Sequence, residues 1–237
     1  MPEILRTNAI SIWDCYGPDL HEATGYGIVP TTIRGSGCPM THGMNLDGLP
    51  VLDPTMKPTR LALGAFDRRY APLVARWVQG EDALFRLAPG TPPPLTTAKV
   101  VGWISTGDCP LLLWAAGEQE PCGYAELNTI KSNPGALWLG HLLLRSDVRG
   151  RGWGHRFVRG LVEQAFEQMA ASAIALVVFP DNEPAIRCYE RVGFSVRRKE
   201  VHRFRSRQRH RMLRMELVNP NPITRIPPEM DRVSGHG

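Results

Sequence analysis

One stretch of this chain restricts its fold more than any other, an apolar run from Ala136 to Leu144 followed at once by Arg149-Gly150-Arg151-Gly152-Trp153-Gly154. Beyond the glycines, apolar residues at Phe157, Val158, Leu161, Val162, Ala165, Phe166 and Met169 recur with helical spacing. The order is therefore strand, glycine-rich turn, helix. Glycines let the backbone turn sharply and approach a ligand, and the first N–H groups of the helix point outward with the positive end of its dipole. Such a corner suits phosphate.

The rest of the chain fits around that corner. Ile174 to Phe179 is a continuous apolar run, the pattern of a strand buried on both faces, and after a crossover helix it should lie parallel to the strand at Ala136. Asn182 is placed to cap the next helix, Pro184 sits in its first turn, and Gly193 supplies the left-handed residue that ends it. Upstream, Leu61 to Phe66 suggests a strand and Asp67 a helix cap. Short helical patterns follow near Asp82 to Leu87 and from Thr96 or Thr97 to Ile104. Pro110 to Ala115 and Cys122 to Leu127 read as a hairpin, and Phe194 to Val201 with His210 to Val218 as a second.

The first 58 residues, rich in Gly and Pro, show no periodicity and are expected to form an irregular extension outside a domain at 59–218. Its removal is expected to leave a folded domain. The proline-rich tail 219–237 is expected to be disordered. Cys38 and His42, with His21, fit no closed metal site, so no metal is expected. The five scattered cysteines form no C-x-x-C pair and are expected to be reduced thiols in a cytoplasmic protein. No run approaches the ~20 apolar residues that span a bilayer, so no membrane partner is expected.

The net charge of +5 is concentrated in one segment. Between Arg197 and Arg214 stand nine Lys/Arg and one acid, Glu200, which leaves −3 for the remainder. That distribution argues against nucleic acid as a partner. Extended strand alternation would put Arg203, Arg205, Arg207 and Arg209 on one face, suited to an acceptor bearing a carboxylate or phosphate besides its amine.

Two motifs resemble those of the GNAT superfamily of N-acetyltransferases. Arg149 to Gly154 fits (Q/R)-x-x-G-x-(G/A), and Asn182 to Phe194 fits N-x-x-A-x-x-x-Y-x-x-x-G-F. The order of elements from Leu61 to Val218 is similar too. The resemblance implies an α/β (α+β) fold: a mixed, mostly antiparallel sheet with a splayed parallel strand pair and flanking helices. It implies an acyl-CoA-dependent N-acyltransferase, with acetyl-CoA as cosubstrate, a small-molecule or peptide amine as acceptor, and direct attack in a ternary complex. A homodimer is left open.

The same resemblance implies that Arg149, Gly150, Arg151, Gly152, Trp153 and Gly154 hold the cofactor phosphates, that backbone amides of Leu142, Leu143 and Leu144 and the side chain of Asn182 meet its arm and thioester, and that Tyr189 is the general acid. Attack by an amine, an ammonium at neutral pH with an unperturbed pKa of ~10.4, also requires a base. The strand Ala136 to Leu144 contains no carboxylate and offers only His141; Glu126 on the preceding strand is the alternative, and a water-mediated route a third. A different class of function remains: a domain that holds acyl-CoA, or nucleic acid on its basic hairpin, without turnover. Tyr189 favours the enzyme.

Overall fold

The computed structural model describes residues 43–46, 60–204 and 208–222 of the 237. Its frame is one eight-stranded sheet. The strands are β1 (Met44–Asn45), β2 (Leu61–Ala65), β3 (Cys109–Ala115), β4 (Gly123–Thr129), β5 (Ala136–Leu144), β6 (Ala173–Val178), β7 (Ser195–Arg203) and β8 (Arg209–Val218), in the order β1-β2-β3-β4-β5-β6-β8-β7. All neighbours are antiparallel except β5 and β6. Those two are joined by α4 (Trp153–Glu163), the crossover that parallel pairing requires.

Helices cover both faces of the sheet. On one side α4 and α5 (Glu183–Val192) pack through Phe157, Leu161 and Tyr189 onto Leu113, Leu127 and Leu176. On the other, α1 (Ala71–Trp77) and α3 (Thr97–Gly102) pack through Val74 and Val100 onto Leu112, Tyr124 and Leu143. The short α2 (Glu81–Leu87) reaches toward the far hairpin, where Phe85 meets Phe179, Phe204 and His210.

Two irregularities shape the middle of the sheet. The β5–β6 ladder runs only from Ala136↔Ala173 to Trp138↔Ala175, so Leu139 to Leu144 continue without a partner on that side. Within the same run the β4–β5 register shifts: Glu126 faces Gly140 and Tyr124 faces Leu143, leaving His141 and Leu142 opposite Ala125 alone. That is a β-bulge, and His141 absorbs it with φ of 43°, a left-handed conformation costly for any side chain larger than glycine.

Several expectations need amendment. The helix through Met169 is interrupted: α4 ends at Glu163 and Gln164–Gln168 form a π turn, with Met169 N–H donating to Gln164 O at 3.1 Å. Gly193 ends α5 at φ 111° as its position suggests, but Asn182 stands at the N-cap without donating or accepting a capping bond through its side chain. Asn219, first residue of the expected tail, is buried, its N–H bonded to Ser172 O at 2.8 Å and its Nδ2 to Ala171 O at 3.0 Å. Cys122 and Cys188 are free thiols, whereas Cys109 is disulfide-bonded.

Four residues of the segment expected to lie outside the domain, 43–46, belong to its sheet and core. Met44 pairs with Leu63, Leu46 N–H donates to Leu61 O at 2.8 Å, and Arg156 Nη2 donates to Leu46 O at 3.1 Å. Leu46 itself is buried over Gly160, where an added Cβ would come 2.5 Å from Leu46 Cδ2. Leu46→Ala should therefore destabilise the domain by about 2–5 kcal/mol, since it removes a fully buried aliphatic side chain. Chemical denaturation measures this. A change below about 0.5 kcal/mol, the scale of surface substitutions, would mean that the contact contributes nothing.

Candidate active site

The bulge brings together the two residues between which the sequence left the base undecided. On β4 the side chains of Tyr124, Glu126 and Asn128 share one face because strand residues two apart point the same way. Glu126 is fully buried. Its Oε1 accepts from Tyr124 Oη at 2.6 Å and its Oε2 from Asn128 Nδ2 at 3.0 Å, while His141 Nδ1 lies 2.9 Å from the same Oε2. The His141 contact is an ion-pair approach whose angle falls short of a hydrogen bond. Across the imidazole, the Trp103 indole stacks with centroids 4.1 Å apart and planes 16° from parallel.

This environment separates the roles of the two residues. Burial pushes the Glu126 carboxyl up, but His141, Tyr124 and Asn128 outweigh it and hold the group below its usual value, so it stays an anion. With both oxygens engaged and no solvent access, it is not placed to take a proton from an incoming molecule. His141 presents its Nδ1 edge to Glu126, which leaves Nε2 as the ring nitrogen available for proton transfer.

Asp108, immediately before β3, is the second carboxyl that faces His141. Burial first, then the charge of Glu126, push it up to about 6, against bonds from Ser105 and Thr129 backbone and the pull of His141. An acid whose folded value lies above its unfolded one favours the fold when protonated. Its contribution is complete below the unfolded value near 3.8 and is lost as pH rises through about 6. Asp108→Asn, which keeps an acceptor for Ser105 N–H, should raise the melting temperature at neutral pH and remove a pH dependence on the order of 2–3 kcal/mol between those values. Melting curves of the two proteins that run parallel from pH 4 to 7 would contradict this.

The glycine corner lies at the end of β5. Gly150 and Gly152 have φ of 75° and 74°, and a Cβ at either would meet nothing within 4 Å. Gly152 is the left-handed N-cap of α4, and the first N–H groups of an eleven-residue helix face outward from it. Arg149 curls back, Nε donating to Leu144 O at 3.0 Å, and Arg151 lies 5.9 Å from the Trp153 ring. Gly154 sits between β5 and α5: a Cβ there would stand 3.5 Å from Leu144 Cδ1 and 3.8 Å from Cys188 Sγ. Open space and unused amides make this a cradle that fits a pyrophosphate.

Tyr189 approaches from the α5 face, in the core cluster that includes Leu142 and Leu144. Burial pushes its phenol well up, so it is protonated at neutral pH, and its hydroxyl makes no hydrogen bond among the described residues. Asn182, free of a capping bond, stands one residue after Asp181, which pairs with Arg86 of α2 at 2.8 Å. Trp103 and His141 thus come from the α3 side of β5, and Tyr189 from the α5 side.

Two of the four arginines expected on one face, Arg203 and Arg209, do share it. Arg203 pairs with Arg209 and Val201 with Arg211 on one exposed face. The opposite face carries Glu200, His202 and His210, and His210 is the one that meets Phe85 of α2. Arg198 and Arg214 pair with Glu200 and Glu216, and Arg197 approaches Glu216 at 3.8 Å. Arg205 and Arg207 lie outside the described residues. Arg203, Arg209 and Arg211 thus lie on the face opposite His202 and His210.

Sequence reasoning missed Trp103, Tyr124, Asn128 and Asp108. The polar alternation Tyr124, Glu126, Asn128 within an otherwise apolar strand was a usable signal for two of them. For Trp103 and Asp108 there was none, because their proximity to His141 depends on how α3 and β3 are placed.

A sheet opened by one splayed parallel pair, with a bulge before a glycine cradle, defines the acetyltransferase class of fold. Residues 79–194 match the profile described as "Acetyltransferase (GNAT) family". Among curated relatives, the aminoglycoside N(6')-acetyltransferase type 1 of Klebsiella pneumoniae is 34% identical over 85 residues, 32% of this chain and 42% of the relative. The probable spermine N(1)-acetyltransferase of Bacillus subtilis subsp. natto is 32% identical over 60 residues, 25% of this chain and 40% of the relative. The chain thus spans less than half the length of each of these two. The spermidine N-acetyltransferase of Vibrio cholerae in complex with CoA and spermine shares the fold, with TM-score 0.57 and 16% identity over 67% of this chain and 95% of that one. So does an aminoglycoside acetyltransferase in complex with coenzyme A and kanamycin, at TM-score 0.53 and 22% identity over the same shares. Among the described residues no helix is long and apolar enough to cross a membrane, and no group of acids, histidines and cysteines is arranged to hold a metal.

Proposed function

We propose that the protein is an N-acyltransferase that moves the acetyl group of acetyl-CoA to a primary amine of a small-molecule or peptide acceptor, by direct attack in a ternary complex. The observation that carries this reading is the contact of His141 with the buried Glu126 at the bulge, between the splayed strands and the glycine cradle. Acetyl-CoA supplies the activated thioester. Its phosphates would lie on the amides of Gly150 to Gly154 with Arg149 and Arg151, and its arm would run past Asn182 along Leu142 to Leu144, whose backbone N–H groups donate to the thioester carbonyl.

His141 Nε2 accepts the proton that the acceptor ammonium must lose, and Glu126 stabilises the imidazolium so formed. The amine nitrogen bonds to the carbonyl carbon, the carbon–sulfur bond breaks as the tetrahedral intermediate collapses, Tyr189 Oη gives a proton to sulfur, and the second proton that nitrogen sheds on becoming an amide restores the phenol through solvent. Relatives whose names specify aminoglycosides and spermine support a small amine as acceptor. Acetyl-CoA is made inside cells, which supports a cytoplasmic location; nucleic acid and a homodimer are not needed by this reading. Mass spectrometry of amines, peptides, polyamines and aminoglycosides incubated with the protein and acetyl-CoA tests it. At least one acceptor should gain a single acetyl group; acetyl-CoA binding without any acetylated product would identify a binding module instead.

A further inference from the structure

Glu126 alone does not fix the plane of the catalytic imidazole. Its contact reaches one ring atom, Nδ1, and lacks the alignment of a hydrogen bond. The plane is set from the other side. Trp103 lies nearly parallel to the ring, 4.1 Å away. The indole is tethered in turn, Nε1 donating to Thr91 Oγ1 at 2.9 Å, while Lys99 Nζ donates to Pro92 O at 2.7 Å and Pro94 O at 2.6 Å. These bonds join α3 and the connection that precedes it into one unit that ends on His141.

We propose that Trp103 is a positioning residue for acyl transfer: its indole face holds the His141 imidazole in the plane that keeps Nδ1 on Glu126 and directs Nε2 to the acceptor. The inference rests on the reading of His141 as the base. An indole differs from an aliphatic lid in that its face attracts a cation, so it also supports the ring after proton uptake. Of the charged groups around His141, Glu126 of β4 meets the ring edge at Nδ1 and Asp108, before β3, acts on it by charge.

The test combines kinetics with a signal that needs no turnover. Trp103→Leu and Trp103→Phe are each made in the native and the His141→Gln backgrounds, and kcat is measured with acetyl-CoA and the best amine acceptor. Trp103→Leu should lower kcat roughly 10- to 100-fold with little change in KM for acetyl-CoA, and Trp103→Phe, which keeps a stacking ring, should retain most of the rate. In the His141→Gln background Trp103→Leu should cost less than about twofold, since residues acting through one another are not additive. Indole fluorescence of the free protein should change as the imidazole titrates, and that change should vanish in Trp103→Phe and in His141→Gln.

Equal losses from Trp103→Leu in both backgrounds, or a fluorescence titration that survives in Trp103→Phe, would overturn the proposal. If the titration is present and His141→Gln is inactive but Trp103→Leu is fully active, only the positioning role fails. If His141→Gln turns over normally, the base assignment itself fails, whatever Trp103 does.

Discussion

His141→Gln should lower kcat by about 10²–10⁴-fold and remove the pH dependence that proton transfer to the base imposes on kcat/KM. Glutamine keeps a polar side chain of similar reach beside Glu126 but takes no proton at neutral pH. Glu126→Gln should do less damage, because it weakens the hold on the imidazole and its charge stabilisation without removing the acceptor of the proton. The structure supplies a sharper variant. At φ 43° glycine is the least strained residue, so His141→Gly should fold at least as well as His141→Ala and leave a space lined by Glu126 and Trp103. Added imidazole should then restore part of the rate to His141→Gly. Near-normal rates in His141→Gln with severe loss in Glu126→Gln would reverse the two roles, and normal rates in both would leave a water-mediated route.

The second large effect concerns the cradle. Gly152→Asp or Gly154→Asp should abolish measurable acetyl-CoA binding: the first places a competing carboxylate at the amides and helix dipole that favour a phosphate, and the second puts a charge beside Leu144 and Cys188 in the gap between β5 and α5. The two sites separate ligand effects from folding. At Gly154 a Cβ makes only ordinary contacts, at 3.5 and 3.8 Å, so Gly154→Ala should fold normally. At Gly152 space is open but φ is 74°, so Gly152→Ala should cost about 1 kcal/mol of stability in its own right. Calorimetric titration with acetyl-CoA reads the binding, and unchanged affinity in a folded Gly154→Asp protein would remove the cofactor from this corner.

What was legible in the chain was what short-range chemistry dictates. The glycine corner, the buried strand after the crossover and the Gly193 helix end are each specified by residues within a few positions of one another, and the structure has them at those places. The bulge was less legible, because a histidine in the left-handed region answers to the register between β4 and β5, which no local pattern encodes. The pairing of His141 with Glu126 follows from that register. Leu46 was hidden for a different reason: a two-residue strand has no periodicity to detect, and its partner Gly160 is distant in sequence. For the hairpin, alternation correctly put Arg203 and Arg209 on one face, whereas the packing of His210 against Phe85 on the other face depends on a helix distant in sequence.

The most direct test of the central claim is the pH dependence of amine-stimulated thiol release from acetyl-CoA, measured in the native protein and in His141→Gln at saturating cosubstrate. The account predicts acceptor-dependent thiol release in the native protein that rises with pH through one ionisation, and a residual rate in His141→Gln that lacks this ionisation while acetyl-CoA affinity is kept. Release that is independent of any amine, or the same ionisation undiminished in His141→Gln, would contradict it.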